Sequence, residues 1–277
     1  PVLIGSEKET WNLCPIALEE AILNQLNKGI QPKAIVVVHL YGMPAKMNEI
    51  SAISKKYNIP ILEDAAEALG SSYYNQPCGT FGDFGVLSFN GNKIITTSGG
   101  GGLICQSETA KEKAIFLATQ AKEAATHYEH KQIGYNYRMS NISASIGLGQ
   151  LEVLSKHIQL RRQNHAFYQQ LFDTLSEVTL HQESNENFIS NNWLNVIQLA
   201  SFEQREALRL HLENNNIESR PVWKPMHLQP LFQDNLYFGD DLETELFNKG
   251  LCLPSGSSLS AEDLNRIKTA LELFFNK

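Results

Sequence analysis

The sequence predicts an α/β protein: a large domain built on a mostly parallel sheet, followed by a smaller α+β domain. Three observations carry this reading. Lys33 to Leu40 (KAIVVVHL) is a continuous β-branched run, the pattern of a strand buried on both faces of a parallel sheet. A helical pattern follows, with Met47, Ile50, Ile53 and Tyr57 on one face, and then a second short apolar run, Ile59 to Asp64. Together they make a β-α-β unit, whose crossover is expected to be right-handed.

The remaining elements follow in order. Asp64 falls at the carboxyl end of its strand, the edge where open α/β sheets bind ligands. Val86 to Phe89 and Leu103 to Cys105 read as two strands flanking a turn around Lys93. Helical periodicity resumes from Glu108 to Lys122. A longer pattern, from Ser143 to about Leu175, is long enough to bridge two domains. The boundary is placed inside it, near Leu154, giving a large domain over 1–153 and a small one over 154–277. Beyond it come a strand at Trp193 to Leu199, a helix from Phe202 to Asn214 and a Pro-punctuated loop from Arg220 to Pro230. Ser260 with Asp263 forms a capping box that opens the last helix.

Composition narrows the function. With 277 residues, 42% hydrophobic and 19% charged, the chain has ample material for a core. A net charge of −7 with no clustered basic stretch argues against a nucleic-acid partner. The four cysteines, Cys14, Cys78, Cys105 and Cys252, lack metal-ligand spacing and read as free thiols of a reducing compartment, with no metal expected. No apolar stretch spans a bilayer and no basic-then-apolar leader opens the chain, so a cytoplasmic protein without a membrane partner is expected.

Lys93 is the residue on which chemistry is placed. It stands between the apolar run at Val86 to Phe89 and the glycines Gly99 to Gly102, in a turn held by backbone on both sides. A lysine amine that is partly desolvated forms Schiff bases with carbonyl compounds. Asp64 supplies a carboxylate suited to a pyridinium nitrogen, although a strand-end carboxylate also serves as a helix N-cap. Ser88 offers a hydroxyl to a phosphate, or to a strand neighbour. The four glycines lack the spacing of a dinucleotide or P-loop cradle and read as a flexible turn. In Gly134-Tyr135-Asn136-Tyr137-Arg138-Met139-Ser140-Asn141, Ser140 or Asn141 suits a helix cap, which leaves Asn136 and Arg138 as candidates for holding an anion. His227, in Trp223-Lys224-Pro225-Met226-His227, is either a substrate contact or a surface ring.

Taken together, Val38-His39-Leu40-Tyr41-Gly42, Glu63-Asp64-Ala65-Ala66-Glu67-Ala68, Ser88-Phe89 through Lys93 with Thr96 to Gly100, and Gly134 to Arg138 resemble the DegT/DnrJ/EryC1/StrS family of pyridoxal-phosphate sugar aminotransferases over essentially the whole chain. The resemblance implies an aspartate-aminotransferase-like, fold type I enzyme. By it, Lys93 carries the cofactor as a Schiff base and moves protons when freed, and Asp64 pairs with the pyridine nitrogen. Glu67 sits near the cofactor ring hydroxyl, Ser88 binds the phosphate, and Asn136 reaches the cofactor of a neighbouring subunit in a homodimer. Tyr137, Arg138, Lys224 and His227 are the implied substrate contacts. The Asn90 to Lys93 run and the Ser219 to His227 loop look most like the subgroup that takes an amino group from glutamate to carbon 4 of a UDP-linked 4-keto-6-deoxy sugar, for surface-glycan biosynthesis.

The sequence also departs from the family. The Gly-Thr phosphate turn and the aromatic that stacks on the cofactor ring are not found in it, and Gly5 and Cys14 stand where aspartate is usual. These departures lead to the expectation of a carboxyl-terminal portion of such an enzyme with weakened cofactor binding. The alternative reading is a non-catalytic fragment that folds or dimerises only.

Overall fold

A computed structural model of the chain describes residues 1–173, 175 and 177–275. Helix α1 (Pro15–Asn27) precedes the strand Ile35–Val38, and α2 (Met47–Tyr57) leads from it to the strand Ile61–Asp64. The two strands pair in parallel, Ile35 opposite Ile61 and Val38 opposite Asp64. The strand Phe84–Ser88 adds to them in parallel, and Gly101–Cys105 closes the sheet antiparallel. The β-α-β unit read from the sequence is therefore present, in a four-stranded sheet that is mostly parallel.

One detail of that reading is corrected. Ile35 and Val37 are buried against Leu18 and Ile22 of α1 and Met47 and Ile50 of α2, but Val36 is 55% and Val38 38% exposed. Side chains alternate across a strand, and here helices cover only one face. An unbroken β-branched run does not distinguish a covered face from an open one.

Helix α3 (Glu108–Ala118) is capped by Ser107, whose Oγ accepts from Ala110 N at 3.2 Å. Helix α4 (Asn141–Glu152) is capped by Ser140, which accepts from Ser143 N at 3.2 Å. The single long helix expected from Ser143 onward is in fact two. Val153, at φ −103° and ψ 1°, leaves helical geometry, and α5 (Leu154–Phe172) starts afresh. A β-branched residue following Gly147 and Gly149 makes this stretch a weak helix former, so packing sets the break while the apolar periodicity runs on through it.

The later chain builds its own core. Asn195–Gln198 and Gly250–Leu253 pair antiparallel at the centre of a four-stranded sheet edged by Thr179–Leu180 and Arg220–Pro221. Helices α6 (Phe202–Asn214) and α8 (Ala261–Phe275) pack on it with α5, burying Tyr168, Leu208, Leu212, Leu251 and Leu271 completely. The capping box forms: Ser260 N donates to Asp263 Oδ2 at 2.9 Å, and Asp263 N to Ser260 Oγ at 3.1 Å. Helix α7 (Leu242–Lys249) packs against α6 and the Gly250–Leu253 strand.

The two halves are laced together. Leu3–Ile4 pairs in parallel with Tyr237–Phe238, and Ser72–Tyr73 pairs with Phe188–Ile189. Trp11 shares a buried cluster with Tyr41, Trp193, Val222 and Cys252. All four cysteines are free, and among the described residues no helix is long and apolar enough to cross a membrane.

Candidate active site

The turn that carries Lys93 is fixed by its own backbone and by three side chains from later in the chain. Lys93 N donates to Asn90 O at 3.1 Å, and Thr97 N to Phe89 O at 2.9 Å. Gln150 of α4 accepts from Thr96 N at 3.3 Å, His157 Nδ1 lies 3.0 Å from Ile94 O, and the Trp193 indole N–H donates to Asn92 O at 2.9 Å. Ile94, Ile95 and Thr97 are buried beneath it. Lys93 is thus an amine on a rigid support, as a residue that must meet a ligand in one geometry requires.

Its Nζ lies 3.6 Å from Glu67 Oε1 and 4.5 Å from the centroid of the Trp193 ring. The Glu67 side chain is 13% exposed. Burial pushes its pKa up, while the Tyr41 N–H, the Lys93 ammonium and Trp223 draw it down and the Asp64 charge adds to the rise; burial prevails. Tyr41 N donates to Glu67 Oε2 at 2.8 Å from a left-handed backbone, φ 58°. The Tyr41 hydroxyl in turn accepts from Trp223 N at 2.9 Å.

Asp64 stands between Val38 and Val86 at the carboxyl edge of the sheet, half-buried, and its Oδ1 accepts from Ala66 N at 3.1 Å. The neighbouring Glu63 points the other way into the core. It accepts from Gly79 N at 2.7 Å, Phe81 N at 2.5 Å and Gly82 N at 2.6 Å, and lies 2.9 Å from His39 Nε2. The Ala45 N–H donates to His39 Nδ1 at 3.0 Å, and Cys78 and Glu63 raise the pKa of the ring against the opposing effect of burial. This pair anchors the Leu40–Gly42 turn that presents Tyr41 to Glu67. Ser88 ends its strand with Oγ 3.4 Å from Asn90 N.

Asn136, Tyr137 and Arg138 lie on the surface, next to Met139, which packs against Gly100. All three are exposed, in a segment where Asn136 bridges to Thr119 and Tyr137 stacks on Tyr135 at 4.9 Å. Lys224 is exposed as well. His227 is held by the start of α7: Nε2 lies 3.0 Å from Asp241 Oδ1 and 3.2 Å from Thr244 Oγ1, and Nδ1 lies 3.4 Å from Glu243 Oε1. A cavity of about 500 Å³ has Asn92, Trp193, Trp223, Arg220 and Arg266 in its wall, next to Lys93 but without Lys93, Asp64, Glu67 or Ser88.

Trp193 beside Lys93, and Asn191, Tyr41 and Trp223 around its neighbours Glu67 and Trp193, escaped sequence reasoning. Tyr41 lies inside the Val38 to Gly42 segment but carried no role there. Trp193 read only as the start of a strand, and nothing local in Ser190-Asn191-Asn192-Trp193 announces that it returns to the lysine turn.

Comparisons with known proteins identify the family. The DegT/DnrJ/EryC1/StrS aminotransferase family matches residues 1–272. EpsN of Bacillus subtilis (strain 168), named as a pyridoxal phosphate-dependent aminotransferase, is 46% identical over 279 residues, covering 99% of this chain and 72% of EpsN. The GDP-perosamine synthase of Escherichia coli O157:H7 is 37% identical, covering 100% of this chain and 73% of that enzyme. Among solved structures, Helicobacter pylori PseC, an aminotransferase of pseudoaminic acid biosynthesis, superposes with a TM-score of 0.90 at 26% identity over 100% of this chain and 74% of its own. The chain therefore belongs to the DegT/DnrJ/EryC1/StrS aminotransferase family and is an enzyme of fold type I.

Proposed function

We propose that the chain moves an amino group from glutamate to carbon 4 of a nucleotide-linked 4-keto-6-deoxy sugar, with pyridoxal phosphate bound through Lys93, in the making of surface glycans. The observation that carries this reading is the Lys93 amine, rigidly supported and set beside a buried carboxylate. The donor set suits the cofactor: an amine for its aldehyde, the strand-end carboxylate of Asp64 for its pyridine nitrogen, Glu67 for its ring hydroxyl and the Ser88 hydroxyl for its phosphate. When bound, pyridoxal phosphate supplies an electron sink for the carbon that gains or loses the amino group. The names of the perosamine and pseudoaminic acid relatives support a nucleotide-sugar acceptor.

The roles of the protein groups follow from their placement. Lys93 Nζ, once free, is the base that takes the substrate proton and returns it. Glu67, with burial raising its pKa, holds a proton more readily than an exposed carboxylate and lies within reach of that amine. Asp64 offers its carboxyl group on a sheet edge, the place where strand-end groups meet ligands. Asn136 is assigned to the cofactor phosphate of a second copy in a homodimer, consistent with its exposure on a surface that also shows Tyr137, Ile133 and Ile142 to solvent. Tyr137, Arg138, Lys224 and His227 are assigned to the substrate. The division into 1–153 and 154–277 falls at the Val153 break between α4 and α5.

The test is covalent trapping. The purified chain is incubated with pyridoxal phosphate, reduced with borohydride and mapped by peptide mass. A pyridoxyl group on Lys93, absent from Lys93→Ala, is expected; labelling only of other lysines would reject the assignment. Sugar amination is then assayed with a UDP-linked 4-keto-6-deoxy sugar and glutamate, and the amino-sugar product is read by mass.

A further inference from the structure

The Lys93 amine meets Trp193, from a short segment of the later chain, and Glu67, whose backbone that same segment holds. Trp193 is 3% exposed; its indole N–H is bonded to Asn92 O, and its ring lies under Lys93 Nζ. Glu67 stands against the same amine. Asn191, fully buried, sets both at once: its Nδ2 donates to Glu67 O at 2.9 Å and Leu69 O at 3.0 Å, while its Oδ1 accepts from Trp193 N at 2.9 Å. The fit is close, because a Cβ on Gly42 would come within 2.0 Å of Asn191 Oδ1, and Gly42 has φ +89°. Ser71 and Ser190 hold the same junction, each donating its hydroxyl to Gly42 O, at 2.6 and 3.0 Å.

We propose that Trp193, oriented by Asn191, is a positioning residue that receives the free amine of Lys93 on its indole face, opposite Glu67, whenever that amine is not bonded to the cofactor. The proposal rests on Lys93 being the cofactor-bearing amine. A lysine stem is long and flexible, and its ammonium needs favourable electrostatics once it leaves bulk water. The face of an indole attracts a cation through its quadrupole without a directional hydrogen bond that must break before the amine reacts again. Because the same indole is bonded to the residue before Lys93, the ring and the amine share one frame. The amine thus returns to a single location between the two halves of the reaction.

The experiment labels lysines of the 277-residue chain, without added cofactor, by brief acylation at fixed pH and quantifies each peptide by mass spectrometry. Lys46, part-exposed and paired with Glu7 and Glu9, is the internal reference, because a loosened fold speeds both sites. Trp193→Leu is expected to raise Lys93 labelling relative to Lys46 by about five-fold, and Trp193→Phe, which keeps an aromatic face but loses the N–H, to stay within about two-fold of the wild type. A wild-type ratio in Trp193→Leu overturns the proposal. A rise in Trp193→Phe as large as in Trp193→Leu also overturns it, because the agent is then the bond to Asn92. Lys93→Met provides a check that leaves Trp193 in place: its near-UV indole dichroism should change with the melting temperature held, and an unchanged band counts against the proposal. Trapping with pyridoxal phosphate is read separately. Trapping at Lys93 without the Trp193 effect removes this proposal alone; the Trp193 effect without trapping removes the cofactor role of Lys93 and leaves the resting site.

Discussion

Helix α4 and helix α6 are of similar length, and the structure treats them oppositely. Helix α6 buries Arg205, Leu208 and Leu212 in a core that the later chain completes for itself. Helix α4 carries Ile142, Ile146, Leu148 and Leu151, yet none of its residues is buried, and Ile142 is 77% and Leu148 67% exposed. An apolar stripe shows that a helix needs a partner surface and does not show whether the same chain provides it. The α6 region is folded for stability, whereas the α4 region braces the Lys93 turn through Gln150 and leaves its apolar residues outward. In the homodimer proposed above, a second copy would cover those residues.

The largest effect should come from breaking the self-completed core. Leu208→Ala removes a fully buried side chain and is expected to cost about 3 kcal/mol in denaturant unfolding. A loss no larger than that of a surface substitution would mean this core is not the main support of the fold.

The next largest concerns the join between the halves, where Trp11 stacks on His181 with ring centroids 3.9 Å apart. Burial, helped by the His165 charge, pushes the His181 pKa down to about 4. The folded value lies below the unfolded one, so the unfolded state binds more protons between them, and stability is lost as pH falls from about 6.5 toward 4. A loss of about 2 kcal/mol is expected over that range, less than the full linkage because the residue keeps some solvent contact. Midpoints measured at pH 7 and 4.5 should converge for His181→Gln, and an undiminished acid loss in that variant would assign it to other groups.

Smaller still is the effect of charge on the open face. Ile142→Glu combined with Leu148→Glu should change monomer stability by less than about 0.5 kcal/mol. If a second copy covers α4, the same pair halves the mass seen by light scattering; an unchanged mass moves the interface elsewhere. The smallest effect is expected at Glu67. Its folded pKa lies above its unfolded one, so its favourable contribution is complete at low pH and is lost as pH rises through the folded value. Glu67→Gln should flatten that fall and leave the chain slightly more stable at pH 8, and a melting profile that keeps the wild-type slope would show the carboxylate is not held up by burial.

Much of the site was legible because its residues are punctuated locally. Lys93 sits between an apolar run and glycines, and Asp64 ends an apolar run, so strand-end logic alone placed both at the carboxyl side of the sheet. Residues 202–214 and the Ser260 cap were equally plain, since caps and periodicity are short-range signals. The covering of a strand face was not, as Val36 and Val38 show. Nor was the join at Val153, where the apolar pattern continues while the backbone does not.

The sequence by itself determined the first β-α-β unit, the helix over 202–214, the capped last helix, the family and the amine on which the chemistry is proposed, because each of these is written in neighbouring residues whose conformational preferences act over a few positions. The tertiary structure alone decided which side chains surround that amine. Trp193 reaches it, and Asn191 its partner Glu67, from far along the chain, and these contacts exist only once Phe188–Ile189 has paired with Ser72–Tyr73 and carried the segment back to the first sheet. Long-range pairing of this kind leaves no local periodicity, since what fixes it is the packing of two elements against each other and not the preferences of either one.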